Sequence, residues 1–403
     1  MDAVFSFIIP CADHGGGDGL LDGVRVAPQP NVAVAGWPSE AGSKALAGFK
    51  ALEDAVLVKR LRAAGARLCG LTRMSEFGFG LDGGCTAGQA VEAGSADAEI
   101  VLDMTGESRL CAGNVCAFKP SYGIVPRVGV TGLIPSMETP GVLARDPGLI
   151  RRLMQALAGP DETDFSVPDE TPPPFAAQSV DPAKTKVGLI KEAREGLSDA
   201  QAEGFDASVA ELEQAGFCVE EISFPDYRMF VLAHRIIGAV EASSCAGRYD
   251  SVRYGRREPG AKDWNEMYLS ARGAAFGPLI KSLLFEGAYF QFERYSAYEA
   301  ACRLRSRLVT EMDRLTGQVD FLAMPLPGKA ADAGTLPLDE TYAKSISTLF
   351  ANVTGQPVVC LPSANGTPQA GMQLAAKRRC DGRLIDLGEF ILERRGKGGC
   401  NGI

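Results

Sequence analysis

Histidine is almost absent from this 403-residue chain: there are two, His14 and His234. Any Ser-His or Cys-His mechanism is therefore limited to those two residues. Eleven cysteines are present, but no Cys-x-x-Cys pair occurs among them. Their odd number and even spread fit reduced thiols better than a disulfide framework. With so few histidines, no zinc-site spacing exists, and neither a metal nor another cofactor is expected. No run of eighteen apolar residues occurs, so no bilayer span and no membrane partner are expected. Positive charge is the minority sign: 41 Lys and Arg against 50 Asp and Glu leave a net charge of −9. An acidic chain repels phosphate backbones, so direct nucleic-acid binding is not expected. The start, Met1 to Pro10, has no basic n-region and is too short for a signal peptide, which makes the cytoplasm the expected location.

Apolar material is ample, at 46% of residues with a mean hydropathy of 0.00. That excludes global disorder, which needs low hydrophobicity and high net charge. Several segments read as helix, glycine stop, then apolar strand. Leu57, Leu61 and Ala64 follow helical spacing, end at Gly65 and lead into Ala66 to Leu71. Lys186 to Ile190 reads as a strand. Ser198 opens a capping-box pattern before Phe205, Val209 and Leu212, and Cys218 to Phe224 alternates like a strand after Gly216. One long helix is expected from about Tyr289 to Leu315, followed by a strand from Val319 to Pro325. A helix from about Thr341 to Thr354 stops at Gly355 and leads into Pro357 to Pro362. Such alternation predicts an α/β fold with a mixed, mostly buried sheet. The stretch from Gly159 to Lys186 is rich in proline and acids and reads as a surface connection between two halves.

Most single candidates have an ordinary reading. His14-Gly15-Gly16-Gly17-Asp18-Gly19 does not match a dinucleotide fingerprint and reads as a loop. Tyr289, Phe292 and Tyr295, at helical spacing, read as a packed face. Gly83-Gly84-Cys85-Thr86-Ala87-Gly88 is different in kind. It is a turn of small residues, and Asp103-Met104-Thr105-Gly106-Glu107-Ser108 follows it. Glycine turns that carry a hydroxyl or thiol let backbone N–H groups point at a reacting oxygen.

The order of these pieces resembles the amidase-signature family of Ser-cisSer-Lys amide hydrolases. Within it the chain is most similar to the A (glutaminase) subunits of glutamyl-tRNA(Gln) amidotransferases. The carriers are Gly23-Val24-Arg25-Val26-Ala27, Ala41-Gly42-Ser43-Lys44-Ala45-Leu46, Leu61-Arg62-Ala63-Ala64-Gly65-Ala66 and Thr72-Arg73-Met74-Ser75-Glu76-Phe77. Phe118-Lys119-Pro120-Ser121-Tyr122-Gly123, Gly141 to Asp146, Glu241 to Ser244 and Arg248 to Gly255 continue the series to about Leu392. The resemblance implies one amidase-signature domain over residues 1–403, with a large mixed β-sheet covered by helices on both faces. It also implies a chemistry: a serine attacks the amide carbon, and its proton passes through a second serine to a desolvated, neutral lysine.

Against that pattern several positions depart. The family lysine falls on Gln29, whose amide cannot take and return a proton near neutral pH. The cis-serine position falls on Cys85, and the nucleophile position on Ser108. In the oxyanion turn of Thr105, Gly106 and Glu107, the glutamate replaces a glycine and brings a carboxyl where negative charge must develop. In the substrate pocket, Arg305 matches an arginine that holds glutamine's carboxylate. An aspartate that takes the amino group falls on Ser345, and a tyrosine on Arg256.

Three readings follow. In the first, the chain is a degenerate homologue with hydrolysis lost or weak, acting as a binding or scaffolding partner of an amidotransferase-like subunit. In the second, it is a divergent enzyme that releases ammonia from an amide. That enzyme would use Ser108, or else Cys85 with His14 or His234 as base. In the third, the old cleft binds a small amide or amino acid without turning it over.

Overall fold

The computed structural model describes residues 4–9, 19–79, 86–110, 114–255, 257, 259–327, 337–362 and 370–398. In chain order the strands are β1 (Phe5–Ile8), β2 (Arg25–Pro28), β3 (Arg67–Leu68), β4 (Gly70–Thr72), β5 (Ala98–Asp103) and β6 (Cys116–Lys119). They continue as β7 (Thr139–Ala144), β8 (Lys186–Ile190), β9 (Cys218–Ile222), β10 (Phe321–Pro327), β11 (Val358–Leu361) and β12 (Ala370–Ala376). The helices begin with α1 (Val56–Ala63), α2 (Gln89–Glu92), α3 (Glu107–Leu110), α4 (Pro147–Leu157), α5 (Asp199–Gln214) and α6 (Met229–Cys245). After them come α7 (Trp264–Ala275), α8 (Pro278–Phe292), α9 (Tyr295–Leu315), α10 (Leu338–Ser345), α11 (Leu349–Thr354) and α12 (Asp381–Gly398).

Among the described residues, ten strands form one sheet in the order β3-β2-β5-β7-β6-β11-β12-β10-β8-β9. β3, β2 and β5 run parallel at one side, and β10, β8 and β9 run parallel at the other. The five pairings between β5 and β10 are antiparallel. Strands from both sides of the 159–186 connection share this sheet, and residues 159–185 carry no α-helix or strand. The expected mixed α/β architecture is what the chain adopts. β1 and β4 form a separate antiparallel pair.

Side chains alternate across the sheet, and the core divides accordingly. Ile100, Phe118, Val142, Val359 and Leu374 face one layer, which includes residues of α1, α4, α5 and α12. Val101, Ala117, Leu143, Cys360 and Ala375 face the other, which includes residues of α6, α8, α9, α10 and α11. Local signals explain several element starts. Ser198 and Gln201 close the capping box of α5, and Asp146 accepts from Leu149 N at 2.8 Å ahead of Pro147 in α4.

Three expectations fail in detail. The single helix expected over 289–315 is two helices, α8 and α9, interrupted at Glu293 and Arg294. The helix expected over 341–354 is likewise two, α10 and α11, because the backbone between them is diverted to other partners. Thr348 O accepts from Arg109, and the Thr348 hydroxyl bridges to Thr105 O. The stripe of Tyr289, Phe292 and Tyr295, read as a packed face, is exposed at 46%, 81% and 56%. Periodicity marks an apolar face without saying whether the chain covers it.

Candidate active site

The site grows from the end of β5. All six residues of that strand are buried, and the last is a charged one, Asp103. A turn at Met104, Thr105 and Gly106 then leads into α3, which carries Glu107, Ser108 and Arg109, all buried. Gly106 is required here. Its φ is +117°, and an added Cβ would stand 2.3 Å from Thr348 Oγ1.

Strand register puts the candidates on one face. Pro28 pairs with Ile100, and Gln29 N donates to Ile100 O at 3.0 Å, so Gln29 follows Val101 onto the α6 and α11 side of the sheet. Asp103 pairs with Thr139 and Val101 with Gly141 in the antiparallel β5–β7 ladder. Ser108 packs on the same strand: a Cβ added to Gly141 would meet Ser108 Oγ at 2.9 Å. Gln29 is buried, and among the described residues its Oε1 has no hydrogen-bond partner.

The Glu107 side chain folds back over the turn. Its Oε2 accepts from Met104 N at 2.7 Å, Thr105 N at 2.9 Å and Gly106 N at 3.2 Å, and its Oε1 accepts from the Thr105 hydroxyl. A cradle of three backbone donors and a hydroxyl is thus filled by a carboxyl from the same turn. Burial and the nearby Asp103 carboxylate push Glu107 up to about 7, although the cradle donors pull the other way.

Ser108 Oγ donates to Asp103 Oδ2. Among the described residues no lysine or imidazole nitrogen lies within hydrogen-bond distance of it. Asp103 is in turn gripped by Arg109, with Nε to Oδ2 at 3.1 Å and Nη2 to Oδ1 at 2.9 Å, and both side chains are fully buried. Arg109 also donates to Thr348 O at 2.8 Å and Asn352 Oδ1 at 2.6 Å, while Asn352 Nδ2 donates to Asp103 Oδ1 at 3.0 Å and Met137 O at 3.1 Å. Burial alone would raise Asp103. The Arg109 guanidinium overrides it, Ser108 and Lys119 add to the effect, and the carboxyl is held down to about 2. A carboxylate that acidic is a weak proton acceptor for a serine hydroxyl.

Two further titratable groups sit close by. His234 Nε2 lies 2.9 Å from Met104 O and Nδ1 lies 3.2 Å from the Tyr342 hydroxyl. A carbonyl only accepts, so Nε2 carries the proton and Nδ1 accepts from Tyr342. Burial lowers His234 to about 4, so the ring is neutral and braces the cradle from behind. Lys119 is also buried, and burial together with Arg109 lowers it to about 7. Its Nζ donates to Pro120 O and Gln356 O, both at 3.0 Å.

The remaining sequence candidates are placed as follows. Arg305 gives Nε to Val353 O at 2.9 Å, Nη1 to Ser136 Oγ at 2.8 Å and Nη2 to Ser136 O at 2.7 Å. Ser345 is fully buried and donates to Thr341 O at 3.0 Å. No hydrogen bond joins Arg305 and Ser345 among the described residues. Cys85, His14 and Arg256 lie outside the described residues. Sequence reasoning missed Asp103, Arg109, Thr348 and Asn352 as parts of one network. The one available signal was an aspartate closing a buried strand that also holds Glu99, with an arginine six positions later.

A family model described as Amidase matches residues 11–93 and 110–385, leaving unmatched the segment that holds β5 and the cradle. The glutamyl-tRNA(Gln) amidotransferase A subunit of Natronomonas pharaonis is 32% identical over 407 residues, covering 93% of this chain and 96% of that protein. The protein of the same name from Symbiobacterium thermophilum is 31% identical, covering 96% and 88%. The crystal structure of the glutamyl-tRNA(Gln) amidotransferase A subunit from Thermotoga maritima superposes with a TM-score of 0.77 at 21% identity, covering 95% of this chain and 85% of that one.

Proposed function

This chain belongs to the amidase family, and from that premise we propose that it serves as a binding or scaffolding subunit in which amide hydrolysis is lost or very weak. The observation that carries the reading is the Glu107 carboxyl seated on the donors of Met104, Thr105 and Gly106. An oxyanion forming at those donors would have to displace a carboxyl tethered one residue from the nucleophile position. Once Glu107 is ionised, its charge opposes the developing charge instead of stabilising it.

Proton transfer argues the same way. Ser108 is hydrogen-bonded to Asp103, which Arg109 keeps strongly acidic. Gln29, at the position the family fills with lysine, offers an amide with no accessible proton equilibrium. Relatives are named as subunits of an amidotransferase, and a preserved fold around a closed site suits a protein whose task is to bind another. The partner is in this reading an amidotransferase-like subunit, and the ligand, if the cleft keeps one, a small amide or amino acid.

The test is ammonia release from glutamine, asparagine and simple aliphatic amides by the purified chain, measured beside Ser108→Ala. The expected result is one shared background rate. Turnover that vanishes in Ser108→Ala would refute the proposal and make the chain a divergent amidase.

A further inference from the structure

We infer that the cleft at the start of α7 is a binding site for an aromatic phosphate monoester, a nucleoside monophosphate. The cleft has a volume of about 540 Å³, inside the roughly 300–1,000 Å³ range of small-ligand sites. Its walls are residues 257 and 259–263 of the loop that leads into α7, together with Trp264, and Met267 lines it as well at 8% exposure. Both ends of the loop are fixed. Gly255, at φ +81°, lies against the 43–46 turn, where an added Cβ would stand 2.4 Å from Ala45 O. Lys262 N donates to Glu266 Oε2 at 2.8 Å. The site shares no residue with the cradle or with Ser108, so it stands or falls apart from the reading of the active site.

Charge and ring chemistry select the ligand. In a chain of net charge −9, residues 253–264 reverse the sign, with Arg253, Arg256, Arg257 and Lys262 against Glu258 and Asp263. Arg256 and Glu258 lie outside the described residues, and Arg253 is paired with Asp250 at 3.5 Å. Of the charged side chains lining the cleft, Arg257 and Lys262 have neither an ion pair nor a hydrogen bond. Asp263 is held at the helix start, its Oδ1 accepting from Glu266 N at 2.8 Å. Two free cations against one carboxylate that caps a helix leave the cleft positive. They suit a phosphate monoester, which carries about −1.5 to −2 charge near neutral pH, better than a single carboxylate. The arginine fork can give two parallel N–H groups to phosphate oxygens, and the lysine adds a point charge. The acidic remainder of the chain is screened by salt beyond about 8 Å. Trp264 is 57% exposed and stacks on no other ring, which leaves an indole face open to a nucleobase. The cavity has room for base, ribose and phosphate together, more than a phenyl phosphate would fill.

The experiment is a tryptophan-fluorescence titration of the full chain with AMP at low ionic strength, beside adenosine, inorganic phosphate and phenyl phosphate. The chain has two tryptophans. Trp37 packs on Phe7 with ring centroids 5.2 Å apart, so quenching by a stacked base reports on Trp264. AMP should quench saturably, and the quench should vanish in Trp264→Leu, whose remaining signal comes from Trp37. Arg257→Gln/Lys262→Gln should raise the AMP dissociation constant about a hundredfold, about tenfold for each charged group removed. Adenosine should bind the wild type as weakly as AMP binds that double variant, and inorganic phosphate should compete with AMP without quenching. All three chains should share one far-ultraviolet spectrum. The absence of a saturable AMP quench overturns the inference. So does a quench that survives Trp264→Leu, or one indifferent to the loss of both cations. Phenyl phosphate binding as tightly as AMP overturns the assignment to a nucleotide.

Discussion

Replacing Glu107 by glutamine keeps the shape in the cradle and removes the titration, so it isolates what the carboxyl does to stability. Burial beside Asp103 raises Glu107 from 4.5 to about 7. Between those values the folded chain holds a proton that the unfolded chain has released. Stability therefore falls as pH rises through that window. At about 1.36 kcal/mol per pKa unit the total is about 3 kcal/mol. His234 works in the opposite sense. Burial lowers it from 6.5 to about 4, so over that range the unfolded chain holds the proton and stability rises with pH. In the wild type the two arms oppose each other, and Glu138 and Asp381, which burial also raises, add to the falling one, so the wild-type slope does not isolate Glu107. The difference between Glu107→Gln and wild type does. It should move in the variant's favour by about 3 kcal/mol from below pH 4.5 to above pH 7. Urea midpoints at matched slopes across that range measure it. A pH-independent difference would refute the reasoning, because it would mean that the cradle donors offset burial and Asp103 completely.

Two further predictions concern the network beneath the cradle. Arg109→Leu strands the buried Asp103 carboxylate and should cost about 3–5 kcal/mol in urea unfolding, whereas Asp103→Leu/Arg109→Leu should cost far less than the two single losses added together; full additivity would show that the pair is not coupled. Gly106→Ala should cost about 2–4 kcal/mol in the same assay, from the unfavourable φ and the collision with Thr348. Adding Thr348→Ala should recover only the collision, and complete recovery would locate all of the cost there.

How much of this could be read from the residues alone varies with range in the chain. Elements governed by local pattern were legible: the capping box of α5, the alternating strand β9, and the apolar strands β8, β10 and β11 all follow from spacing and stop signals. The turn of Thr105, Gly106, Glu107 and Ser108 was also legible as a candidate, because its residue types and order carry the resemblance. Long-range partners were not. The break between α10 and α11 depends on Thr348 giving its carbonyl to Arg109 and its hydroxyl to Thr105, more than two hundred residues away. The exposure of Tyr289, Phe292 and Tyr295 was not legible either, since a helical period marks an apolar face and not its neighbour.

The changes at the candidate site also bear on one another. A glutamate in an oxyanion turn would ordinarily be an unpaired buried acid, but this one finds four donors within its own turn. Asp103 would ordinarily be a costly charge at the end of a buried strand, but Arg109 neutralises it and Asn352 and Ser108 complete its hydrogen bonds. Each group that blocks hydrolysis in the proposed reading also satisfies another buried polar group. The packing is therefore not that of a neglected active site, in which lost residues would leave voids and orphaned donors. Gln29 is an exception, with a buried Oε1 that has no hydrogen-bond partner among the described residues, and so are the Asn31 amide and the Thr139 hydroxyl. In the proposed reading, a site re-stabilised around Glu107 and Asp103 fits selection on the fold and its surfaces after selection on the proton relay had ceased.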